Sequence, residues 1–201
     1  MLEGITIALK THYDTAIEAK EILEDAIAKI GEKYISAKYA EMTGEAKDIY
    51  NKALDESRQK NYDTCIQILD QIKEQAEQVV SVPVPTEFVS RLEALKLIKE
   101  PTEKEIESLV ETYKNNYFAY RSICDFLNVL EKPVTIDEIK EYIVYIKTNL
   151  YICFYSDNVQ WYHYRNWMEG TLIPNYDQLF TAFLEGRFEE AFLKDEQNET
   201  E

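Results

Sequence analysis

The sequence predicts an all-α protein, a helical bundle built from helical hairpins in two parts joined by a Pro-rich connector. Three observations predict it. Glycine and proline number only five each in 201 residues, too few chain-breakers for a turn-rich sheet fold. The stretches between them are rich in Ala, Leu, Glu and Lys, the strong helix formers. Apolar residues also recur at the three- and four-residue spacing of one helix face. Apolar residues make up 45 % of the chain and charged residues 30 %, the balance of a folded domain rather than a disordered one.

Residues 1–80 read as a three-helix region. Ile5, Leu9, Ile17, Leu23, Ile27 and Ile30 form a stripe that predicts a first helix, with Gly31 as its C-terminal cap. Tyr39, Met42, Ala46, Ile49, Ala53 and Leu54 predict a second, and Ile66, Leu69, Ile72 and Ala76 a third over about 62–80. Pro83 and Pro85 in "SVPVPTEF" forbid helix and favour an extended connector over 81–86.

Residues 87–201 then read as an aromatic-rich bundle. Five tyrosines and no Phe or Trp occur in residues 1–80. From residue 110 onward there are ten tyrosines, seven phenylalanines and both tryptophans. Thr102 with Glu105 and Thr135 with Glu138 fit the capping box, in which each side chain satisfies an unpaired amide of the other residue. Ile106 through Leu127 predict one long helix, and Ile139, Tyr142, Ile143, Ile146 and Leu150 the next. In "NVQWYHYRNWMEG", Trp161, Tyr164 and Met168 share one helical face that reads as core or interface, with Gly170 as cap and Pro174 as stop. His163 and Arg165 point elsewhere on that helix. A stacking platform for a small ligand is the alternative for this stretch.

Charge and motifs narrow the function. A formal net charge of −16 leaves no basic excess to release counterions, which argues against direct nucleic-acid binding and against anionic membranes. No run approaches the ~20 apolar residues of a spanning helix. Cys65, Cys124 and Cys153 are odd in number and far apart, so they read as buried thiols in a reducing compartment. A cytoplasmic location is expected. No phosphate-binding glycine loop is present. Neither His12 nor His163 has the Glu-x-x-His spacing of a di-iron bundle, and no nucleophile elbow accompanies them. No catalytic residue, metal site or cofactor is expected, and the chain reads as a non-enzyme.

One internal echo adds to this. Tyr13-Asp14-Thr15-Ala16-Ile17 recurs as Tyr62-Asp63-Thr64-Cys65-Ile66, and more weakly around Phe188, Ala191 and Phe192. Gly186, Phe188 and Ala191 meet the G-x-[Y/F]-x-x-A pattern and resemble the turn and second-helix start of tetratricopeptide repeats, although the copies lie 49 residues apart rather than about 34. That resemblance implies helical hairpins and peptide binding in a groove. "ETYKNNYFAYRSICDFL" at 111–127 is similar to segments of small helical proteins encoded by bacteriophages. This second likeness implies a phage or prophage protein that binds another protein.

The expected function is therefore a helical protein–protein interaction or assembly protein with a protein partner, self-association being open. Its contact residues are expected at Tyr13, Tyr62, Trp161, Tyr164, Trp167 and Phe188. The alternative is an acidic nucleic-acid mimic presenting Glu103, Glu107 and Glu111 to a DNA- or RNA-binding protein, net charge being −6 through residue 100 and −10 beyond it.

Overall fold

The structure, a computed structural model, describes residues 1–34, 36–98, 100–130, 132–155 and 165–192. Among these are seven α-helices and no strand, the all-α class expected. They are α1 (Glu3–Lys33), α2 (Ala37–Ser81), α3 (Thr86–Leu97), α4 (Glu103–Tyr113), α5 (Tyr117–Leu127), α6 (Ile136–Tyr155) and α7 (Ile173–Leu184), with a π turn at Met168–Leu172. Two compact units divide the chain, each assembled from distant segments. The hairpin unit holds residues 2–68 with the described residues of 147–169. The bundle unit holds Met1, residues 69–146 and the described residues from 170 onward.

In the hairpin unit, α1 rises against the first part of α2. A β-carbon at Gly4 would stand 2.7 Å from Ile68 Cδ1, His12 hydrogen-bonds Ser57, and Gly31 lies opposite Tyr39. Partner numbers fall as α1 numbers rise, so the helices are antiparallel, and α1 extends ~46 Å. Ser36 turns the chain with a left-handed φ of 42°. Ile5, Ala8, Leu9 and Cys65 are buried at the open end, but no described residue between 10 and 60 is. Leu23, Ile27, Ile30, Met42 and Leu54 are only half-buried there, because a two-helix layer covers one side of each helix.

Several local expectations are corrected in this unit. Ile17 and Ile49 fall off their stripes and are exposed. Gly31 does not cap α1, which continues to Lys33 and ends at extended Tyr34, whose N–H still reaches the Ile30 carbonyl. One 45-residue helix, α2, stands where two were expected. Residues 55–61 contain no glycine or proline to break it, and Gly44 is carried inside at a cost of ~1 kcal/mol. Tyr13 and Tyr62 accordingly sit within unbroken helices, with no turn before them.

In the bundle unit, Pro83 and Pro85 separate α2 from α3, and Asn116 Nδ2 donates to the Pro83 carbonyl at 3.1 Å. α3, α4 and α5 close over Phe88, Leu92, Leu95, Leu109, Tyr113, Ala119 and Ile123. The long helix expected over 106–127 is two. Asn116 adopts extended backbone and its side chain accepts from the Ala119 N–H, so it caps α5 instead of continuing α4. Both capping boxes form: Thr102 with Glu105, and Thr135 with Glu138.

The expected cap at Gly170 and stop at Pro174 are absent. The helix passes from Arg165 through the π turn into α7, with Pro174 in the first turn of α7. Pro174 has no N–H for the Gly170 carbonyl and its ring crowds that oxygen, so a wider turn relieves the clash rather than ending the helix. After α7, Gly186 reverses the chain at φ 73°, and the Val134 N–H donates to the Ala191 carbonyl at 3.0 Å.

Candidate functional site

Aromatic rings and arginines gather in the hairpin unit. Tyr62 of α2 meets three rings of α6 edge-on: Tyr155 at 5.3 Å, Phe154 at 5.9 Å and Tyr151 at 6.3 Å between centroids. Tyr151 and Tyr155, one helical turn apart, stack at 4.8 Å. Arg58 lies over the Tyr155 ring at 5.4 Å and pairs with Asp55. The Tyr155 hydroxyl donates to Gln59 Oε1, whose amide in turn donates to Asp63. Burial, then Tyr155 and Tyr151, push the Tyr62 phenol above its ordinary range. Tyr151 is 56 % exposed, so the cluster has a wet side.

A second cation belongs to the same unit. Arg165 is buried, holds Glu169 through two bonds of 2.7 and 3.2 Å, and lies over the Tyr13 ring at 4.3 Å. A charge this buried is tolerable because a bidentate carboxylate and an aromatic face replace its water.

The structure brings a serine to His12. Its Nδ1 lies 3.1 Å from Ser57 Oγ, Asn61 donates to the same hydroxyl at 3.3 Å, and the ring tilts against Phe154 at 5.2 Å. Burial, and then Arg58, lower the His12 pKa to about 4. A base that weak takes a serine proton poorly near neutral pH, and an arginine rather than a carboxylate neighbours it. The arrangement is that of a packed, neutral histidine.

Cys65, Cys124 and Cys153 are free and buried, as expected. Burial, with Cys153 alongside, pushes the Cys65 thiol up to about 12. Burial, with Glu169 nearby, does the same to Cys153. Among the described residues, no cluster of His, Cys, Asp and Glu could hold a metal ion.

Of the expected contact residues, Tyr13, Tyr62 and Trp167 belong to the hairpin unit; Tyr62 is half-buried in the ring cluster and Tyr13 half-buried against Arg165. Trp161 and Tyr164 lie outside the described residues, as does His163. Phe188 is corrected. It is 1 % exposed and packs against Tyr117, Phe183 and Tyr120 inside the bundle unit, so its ring is core and offers no contact surface. Arg165, expected to point away from the face of Trp161, Tyr164 and Met168, is itself buried. Glu103, Glu107 and Glu111 are all exposed along α4, but Glu111 is paired with Lys114 at 2.9 Å.

The sequence reading missed Tyr151, Tyr155 and Arg58. The i, i+4 spacing of the two tyrosines on α6 was the available signal. No helix of the described chain is long and apolar enough to cross a membrane. Comparison with protein-family models, curated proteins and solved structures finds no match.

Proposed function

We propose that this chain is a non-enzymatic helical protein that works by binding another protein, as an interaction or assembly factor. The observation that carries the reading is the Tyr151–Tyr155–Tyr62 cluster with Arg58, half open to solvent on two long helices. Tyrosine, tryptophan and arginine are the residues that dominate binding energy at protein interfaces. Their rings lose little conformational freedom on contact, and rigid helices hold them in place before a partner arrives. A partner peptide laid against hairpin helices is also what the tetratricopeptide-like echo implies. A phage or prophage origin and a cytoplasmic location belong to the same proposal.

The acidic-mimic reading retains one specific observation, the exposed row of Glu103, Glu107 and Glu111. That row offers one carboxylate per ~6 Å of helix, against one phosphate charge per ~1.7 Å of duplex axis. Its density is too low for α4 to act alone.

Affinity capture with the wild-type chain and a Tyr151→Ala variant, at low and high salt, tests both. The proposal expects a protein retained at high salt by the wild type and bound at least ~10-fold more weakly by the variant. Equal retention by both chains would sink the assignment of this surface. A nucleic-acid-binding protein held only at low salt, and released by Glu103→Gln/Glu107→Gln/Glu111→Gln, would establish the mimic instead.

A further inference from the structure

We draw no further inference here: the strongest candidate, the apolar surface that Ile17, Ile22 and Ile49 expose on the α1–α2 hairpin, is an exposed helix face, and nothing in the structure shows what covers it.

Discussion

His12 links a single side chain to the pH dependence of stability. Its folded pKa is about 4 against 6.5 for the unpacked residue, so between those values the unfolded chain binds more protons than the folded one. Stability from this group is complete above pH ~6.5 and is lost as pH falls toward ~4. Because the ring is only partly buried, solvent screening limits the loss to about 1–2 kcal/mol. Urea unfolding of wild type and His12→Gln across pH 4 to 7 isolates it, since carboxylates lowered by their own partners, such as Glu105 and Asp125, titrate alike in both chains. A wild-type slope no steeper than the variant's would contradict the packing of His12 against Phe154. Gly186 gives a second residue-scale expectation. Its φ of 73° suits glycine, and a β-carbon would meet only Asn115 at 3.6 Å or more. Gly186→Ala should therefore cost ~1–2 kcal/mol through backbone strain alone, read as a lower urea midpoint with unchanged m.

At the scale of elements, side chain–backbone bonds were legible and long-range competition was not. Thr102–Glu105 and Thr135–Glu138 could be read because a capping box lies within four residues. Both threonines stand in the bundle unit and cap separate helices. Thr102→Ala and Thr135→Ala should each cost ~1 kcal/mol, and the double variant about their sum. A double variant much worse than additive would show that the two caps share structure. Gly170 and Pro174 were misread because a helix can absorb a proline by widening one turn when its flanks are buried, as Met168, Leu172 and Ile173 are. Asn116 was missed for the opposite reason. Its cap overrides an apolar periodicity that runs smoothly through 106–127.

At the scale of the molecule, the three cysteines report on the two units separately. Cys65 and Cys153 belong to the hairpin unit and Cys124 to the bundle unit, all buried and all held in the unreactive thiol form by burial. A thiol-specific disulfide reagent at pH 7 should leave the native chain unlabelled, and labelling should begin only as urea opens the unit concerned. Labelling of Cys65 or Cys153 at the rate of a free thiol in native buffer would contradict the packed α2–α6 contact around Tyr62.

The same cluster marks the limit of reading by sequence. Composition and periodicity by themselves determined that the chain is helical, which thiols are buried and where two helices are capped, because those properties arise within a turn or two of backbone. They carried no information on which stripe meets which. Tyr62 finding Tyr151 and Tyr155, Ser57 finding His12, Arg165 finding Tyr13 and Phe188 sinking against Tyr117 are contacts between segments distant in sequence. Only tertiary packing decided them, since an amphipathic face specifies that it must be covered and leaves open by what.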